Sequence, residues 1–189
     1  DGIAASVRED RYSFLTGFFK GGSENYYLEG NHDRVRIQQF AFSRQAMVRE
    51  AAEKALKDMD YILRRCRCQV LPYDSRAGVL RLGHLKAVHG YAHGASATQK
   101  HARVYGNVIH GHTHTIESVA VENDDGAAEA RCIGALCRVD QPYNSRQMNK
   151  LRHANGFAYG YLFPDGSYQI FQAREINGSF YAATNIKGF

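Results

Sequence analysis

Proline, cysteine and long apolar runs are all scarce in this sequence of 189 residues. Three prolines stand against ten phenylalanines and twelve tyrosines, and hydrophobic residues make up 44% of the chain and charged residues 23%. These proportions are close to globular averages and exclude a disordered chain. No apolar run reaches the roughly 18 residues that a membrane span needs. The composition therefore predicts a soluble, folded protein with no membrane partner.

The few cysteines also restrict the class of protein. Four of them are too few for a disulfide scaffold of this length, and their C-x-C and C-x4-C spacings depart from the C-x2-C of zinc knuckles. They are Cys66, Cys68, Cys132 and Cys137. Free thiols in a reducing compartment are favoured over a structural zinc site. Since no apolar signal segment is visible, we expect a cytoplasmic protein.

The charge balance favours an anionic partner. Lysine and arginine number 24 against 19 aspartates and glutamates, which gives a net charge of +5 and a pI near 9.0. Phosphate-bearing substrates fit this charge best. Within residues 44–67, basic side chains outnumber acidic ones. This surplus is typical of a solvated helix face, and a nucleic-acid patch is the alternative.

The patterning predicts alternating strands and helices, followed by strands only. We expect strands at 25–29, 69–71, 78–82, 84–88 and 107–109, and helices at 43–65 and 95–105. Ser43 is the candidate N-cap of the first helix, and Gly106 ends the second. From Glu117 onward, turn sequences separate strands such as 157–163 and 168–173. The architecture is one α/β domain with a β-rich C-terminal part and a βαβ crossover before it.

Histidine clustering is the strongest chemical signal. Seven of the nine histidines fall in one short stretch: His84, His89, His93, His101, His110, His112 and His114. In His112-Thr113-His114, which follows a strand and Gly111, a tight loop can point two imidazoles at the same place. The alternative is that such histidines lie at the surface or are satisfied by hydrogen bonds in the core.

Two other H-x-H chemistries fit less well. The metallo-β-lactamase pattern H-x-H-x-D-H is absent, because Thr115-Ile116-Glu117 follows His114. The cupin pattern wants a glutamate four or five positions after the second histidine, whereas Glu117 comes three positions after it. The helices expected earlier in the chain also argue against an all-β jelly roll.

Three blocks at strand ends resemble the successive signature motifs of the calcineurin-like metallophosphoesterases. They are Gly30-Asn31-His32-Asp33, Val88-His89-Gly90 and Gly111-His112-Thr113-His114. Residues 137–139, 156–158 and 176–178 resemble the closing β-segments of small members encoded by phages and bacteria. The resemblance runs from about Tyr26 to the C-terminus. It implies a sandwich of mixed β-sheets flanked by helices, as a single domain over residues 1–189.

The resemblance also implies a site with two divalent metal ions, of which Mn is favoured and Fe, Zn or Ni are alternatives. Asn31, His89 and His112 would bind one ion and His114 the other. His32 would not bind metal but would donate a proton to the leaving-group oxygen. Asp33 would orient His32 and hold it in its protonated form.

The family's first blocks, D-x-H and G-D-x-x-D, are missing from the 29 residues before Gly30. Asp1 could be the last aspartate of G-D-x-x-D. We therefore expect the N-terminal part of the fold, with the remaining carboxylate ligands, to lie upstream of this chain.

The function predicted is metal-dependent hydrolysis of phosphomonoesters or phosphodiesters through a bimetal-activated water. A nuclease or nucleotide phosphodiesterase is slightly favoured by the basic pI, so nucleic acid or a nucleotide is a candidate partner. The location would be the host cytoplasm if a phage encodes the protein. The alternative is a catalytically silent metal- or nucleic-acid-binding module with the same fold.

Several residues near these motifs have simpler interpretations. His93 and His101 are expected at the surface, and His84 is expected to be structural; His110 is left out of the site. Arg34 and Arg36 could contact an anionic substrate or belong to an exposed loop. The aromatic side chains expected in the core are those of Tyr26, Tyr27 and Phe40.

Overall fold

The computed structural model describes residues 24–123, 126–139 and 152–181. The chain divides into two compact units, Asp1–Gly78 and Val79–Phe189. Both units contain helix and sheet, so the fold is of the mixed α/β class, as expected. The expectation of a single domain stays a prediction.

The first unit contains two strands and two helices. In chain order they are β1 (Asn25–Leu28), α1 (Arg34–Ala41), α2 (Ala46–Arg65) and β2 (Cys68–Leu71). β1 and β2 pair in parallel, with Asn25 opposite Cys68. α2 buries Ala52, Ile62 and Leu63. Ile62 and Leu63 belong to the apolar face that the sequence period predicts, whereas Met47, expected on the same face, is 84% exposed.

The structure differs from the expectations for this unit at three points. Helix α1 was missed because none of its residues is buried, so it lacks the apolar stripe that marks a helix in sequence. The N-cap of α2 is Gln45 rather than Ser43, whose hydroxyl accepts the Gln45 N–H at 3.2 Å. Phe40, expected in the core, is 49% exposed, while Tyr26 and Tyr27 are half-buried.

The second unit contains two sheets and one helix among its described residues. The elements are β3 (Leu80–Leu82), β4 (Leu85–Val88), α3 (Ala97–Tyr105), β5 (Val108–His110), β6 (Ile116–Asn123), β7 (Gly126–Ile133), β8 (Gly156–Leu162), β9 (Tyr168–Ile176) and β10 (Ser179–Phe180). One sheet has the order β3-β4-β5-β7-β6, and the other has the order β10-β9-β8.

Strands β4, β5 and β7 run parallel at the centre of the five-stranded sheet. α3 connects β4 to β5, which confirms the predicted βαβ crossover. The core between helix and sheet consists of Val88, Ala102, Tyr105, Val108, Val121, Ala128 and Ala130. Because parallel strands end at the same edge, the segments after β4 and β5 lie side by side.

The β-rich C-terminal part is confirmed. β8 and β9 form a hairpin around Asp165-Gly166, and β9 continues to β10 through Asn177-Gly178. β6 and β7 also form a hairpin, whose expected turn residues 124 and 125 lie outside the described residues. Within the described ranges, no helix is both long enough and apolar enough to cross a bilayer.

Candidate functional site

The Gly30–Asp33 segment forms a tight loop at the end of β1. Asp33 accepts the Gly30 N–H through Oδ2 at 2.7 Å, and its own N–H donates to the Gly30 carbonyl at 3.1 Å. The Asp33 carbonyl then accepts from Ile37 and begins α1. The carboxylate of Asp33 thus stabilises the loop that presents Asn31 and His32.

The His32 side chain is exposed and contacts Arg36. Arg36 Nη1 lies 3.0 Å from His32 Nδ1, and because a guanidinium only donates, Nδ1 is the acceptor. Nε2 therefore carries the proton of the neutral ring. Since the Asp33 carboxylate bonds to Gly30, its expected role of orienting His32 stays a prediction.

Arg34 belongs to the framework of this loop. Its Nε lies 2.7 Å from Glu29 Oε1, and its Nη2 lies 2.5 Å from Asp60 Oδ1. Hydrogen bonds to Asp60 and Glu29 raise the pKa of Arg34 above its usual range. Glu29 is only 4% exposed. Arg34, on α1, thus joins the end of β1 through Glu29 and helix α2 through Asp60.

In the second unit, the ends of β4 and β5 bring His89 and His112 together. Their ring centroids are 5.4 Å apart, at an interplanar angle of 71°. The Gly111 N–H donates to the His89 carbonyl at 3.0 Å and joins the two loops. A Cβ at Gly90 would lie 3.2 Å from His112 Cβ, so glycine permits this approach.

The His112-Thr113-His114 loop has an unusual backbone. His112 and His114 have φ angles of 68° and 57°, in the left-handed region that non-glycine residues seldom occupy. Thr113 between them is held by its hydroxyl, 3.1 Å from Cys132 Sγ and 3.0 Å from Thr115 Oγ1. Strained residues cluster at functional sites, where the surrounding contacts enforce them.

A row of polar side chains crosses the sheet beneath this loop. His110 on β5 and Glu117 on β6 both lie opposite Cys132 on β7. His110 Nδ1 donates to the Gly111 carbonyl at 2.9 Å, and Nε2 lies 3.2 Å from Thr98 Oγ1. Thr98 in turn donates to Glu117 at 2.5 Å. Both nitrogens of His110 are engaged, which agrees with leaving it out of the ligand set.

His101 corrects an expectation, because it is fully buried rather than at the surface. It lies on α3 one turn from both Ala97 and Tyr105, on the face that packs against the sheet. Its Nε2 accepts the N–H groups of Tyr91 and Ala92 at 3.1 and 3.3 Å. Burial, with the charges of neighbouring histidines, lowers the pKa of His101 to about 4. It is a neutral structural histidine, whereas His93 is exposed as expected.

Sequence reasoning missed two residues beside the loop. Cys132 is fully buried; burial raises its pKa, but hydrogen bonds from His110, Thr113 and Thr115 outweigh burial and lower it to about 7. His153 packs edge-to-face on His114, with ring centroids 5.2 Å apart. Both contacts join residues distant in the chain, and no local motif marks either of them.

The imidazole donors occur in pairs, which is fewer than the three or four protein ligands of a typical zinc site. Imidazole nitrogens bind Mn, Fe, Zn and Ni. In the part of the chain that the structure describes, no group of three or more His, Cys, Asp or Glu side chains is arranged to hold an ion. Asn31 belongs to the first unit and the histidines belong to the second, so their convergence on one ion stays a prediction.

Comparison with known proteins gives a distant structural likeness. No protein-family model matches the chain. No curated protein matches it either. Among solved structures, it is similar to Vps29 from Entamoeba histolytica complexed with Zn²⁺, with a TM-score of 0.39 and 17% identity over 66% of this chain and 73% of that chain.

Proposed function

We propose that the protein is a metal-dependent hydrolase of phosphate esters. The observation that carries the proposal is the approach of His89 to His112 at the ends of two parallel strands, beside a loop strained at His112 and His114. Ligands commonly bind at this edge of parallel sheets. The order of the three histidine-bearing motifs, which resembles the metallophosphoesterases, supports the same reaction.

In this proposal each residue has a defined task. Asn31, His89 and His112 would hold one divalent ion and His114 a second, with Mn favoured and Fe, Zn or Ni as alternatives. Such an ion pair, when bound, orients a phosphate and lowers the pKa of the attacking water. His32 would protonate the leaving-group oxygen from Nε2 as the imidazolium. Nδ1 also carries a proton in that form, so the Arg36 contact would be broken when His32 acts as the acid.

The substrate class follows from charge. The excess of five positive charges favours an anionic ligand. Phosphomonoesters and phosphodiesters both satisfy this condition, and a nucleotide or nucleic acid is the favoured bearer of the phosphate. The location proposed for the reaction is the cytoplasm.

A second function is favoured by a specific observation. The described residues contain no group of three or more metal-ligating side chains of the His, Cys, Asp and Glu types. A site with so few ligands would suit a silent module that binds metal or nucleic acid without turnover. The two functions differ in whether phosphate esters are consumed.

The deciding experiment measures hydrolysis of p-nitrophenyl phosphate and bis(p-nitrophenyl) phosphate by the whole chain, with and without Mn²⁺. The test variant is His112→Gly, since glycine removes the imidazole but accepts the φ of 68°. The matched control is His93→Gly, at an exposed loop position. We expect His112→Gly to lower kcat/KM by about 100-fold or more, and the control to leave it unchanged. Absence of any Mn-dependent turnover in the unmodified protein would support the silent module.

A further inference from the structure

His153 and His114 form a second imidazole pair outside the predicted ligand set. Their ring centroids are 5.2 Å apart and their planes meet at 64°. The comparable figures for His89 and His112 are 5.4 Å and 71°. The two pairs thus have closely similar geometry, although the motifs predicted only the His89–His112 pair.

The spacing suits a shared cation. Two imidazoles that bind one tetrahedral ion, each with its nitrogen about 2.0–2.1 Å from the metal, place their ring centroids about 5 Å apart. An edge-to-face contact between two rings also falls in this range, at about 4.5–7 Å. The ring nitrogen of His153, rather than its ring shape, is therefore the property that an experiment must isolate.

The backbone holds this pair in place. The Ala154 N–H donates to the His114 carbonyl at 2.8 Å, and the Ala154 carbonyl accepts the Ala135 N–H at 3.1 Å. The residues on both sides of this contact are strained, with φ angles of 57° at His114 and 48° at Arg152. Left-handed backbone at non-glycine residues costs about 1–3 kcal/mol each and persists only where the surroundings enforce it.

We propose that His153 is a metal ligand that binds, together with His114, a borderline divalent cation such as Zn²⁺. With two protein ligands, water and a phosphate oxygen would fill the remaining positions of a tetrahedral ion. The inference rests on the proposed function in one respect, since His114 is the residue assigned there to the second ion. It adds a ligand that no motif indicates.

The test separates the nitrogen of His153 from its ring. His153→Phe keeps an aromatic ring against His114 but has no ligand atom, whereas His153→Asp loses the ring and keeps a ligand. His93→Phe is the matched control at an exposed histidine. Zn²⁺ binding to the whole chain is measured by titration calorimetry, and Co²⁺ binding by its visible absorption.

We expect His153→Phe to weaken Zn²⁺ binding at one site by about 10-fold or more, with a changed Co²⁺ spectrum. His153→Asp should keep the affinity within a few-fold, and the control should match the unmodified protein. Unchanged Zn²⁺ binding in His153→Phe, or equal loss in the Phe and Asp variants, would overturn the proposal. So would the absence of Zn²⁺ binding by the unmodified protein.

Folding and turnover are measured separately. Urea unfolding shows whether each variant folds, and His153→Leu, which also has no ligand atom, replaces the Phe variant if that one does not. Mn-dependent hydrolysis with unaltered Zn²⁺ binding in His153→Phe would refute the His153 site alone. A selective loss of Zn²⁺ binding in a protein without turnover would refute the hydrolase alone.

Discussion

Replacing His101 with glutamine should make the stability of the protein less sensitive to acid. His101 is fully buried, and its Nε2 accepts the N–H groups of Tyr91 and Ala92. Its Nδ1 is buried without a hydrogen bond of good geometry among the described residues. A glutamine oxygen can accept the same N–H groups, and the amide does not titrate. The substitution therefore removes one buried base while keeping its main hydrogen bonds.

The magnitude follows from the pKa of about 4 in the folded protein, against an ordinary value of 6.5. Between these values, the unfolded chain binds a proton at this position and the folded protein does not. Stability therefore falls as the pH drops from 6.5 towards 4, by about 1.4 kcal/mol per pH unit. Between about pH 7 and pH 5 the His101 contribution amounts to about 2 kcal/mol. Carboxylates titrate in both proteins, so their effects cancel in the comparison.

The assay is urea unfolding of both proteins at about pH 7, 6 and 5, with EDTA present so that bound metal does not contribute. At neutral pH we expect the variant to be less stable by about 1 kcal/mol because of imperfect packing. At the lowest pH the order should be reversed. If both proteins lose the same free energy of unfolding over this range, His101 is not a buried neutral base and the reasoning fails.

Three further outcomes test other parts of the structure. Thr98→Val should lower the free energy of unfolding by about 1–3 kcal/mol, because the buried His110 and the half-buried Glu117 each lose a hydrogen bond. Thr98→Ser should restore most of it, as measured in urea. Arg34→Met should lower the free energy of unfolding by about 1–3 kcal/mol in the same assay, because it leaves the buried Glu29 unpaired. Arg34→Lys should lower it less. An unchanged urea midpoint would contradict the role of Arg34 in holding the loop. A thiol reagent should label Cys137 at once and Cys132 only on unfolding, as read by peptide mass spectrometry; rapid labelling of both would contradict the burial of Cys132.

Much of the architecture was predictable because local rules agree with the fold. The turn at Asp74, whose carboxylate accepts the Arg76 and Ala77 N–H groups, and the end of α3 at Gly106 with φ 73° both follow from residue type. Helix α1 was not predictable, since its residues bury no apolar face. His101 could have been assigned correctly, because its spacing from Ala97 and Tyr105 follows the helical period; histidine is ambiguous between surface and core.

The candidate site divides in the same way. The amino-acid sequence alone determined that histidines follow strands β4 and β5, because a glycine beside each of them permits a turn where an apolar run stops. Only the tertiary structure decided which side chains meet: sheet register placed Cys132 opposite His110, and the Ala154 hydrogen bond placed His153 on His114. Such contacts depend on strand order and on packing between distant segments, and no local pattern of residues encodes either of them.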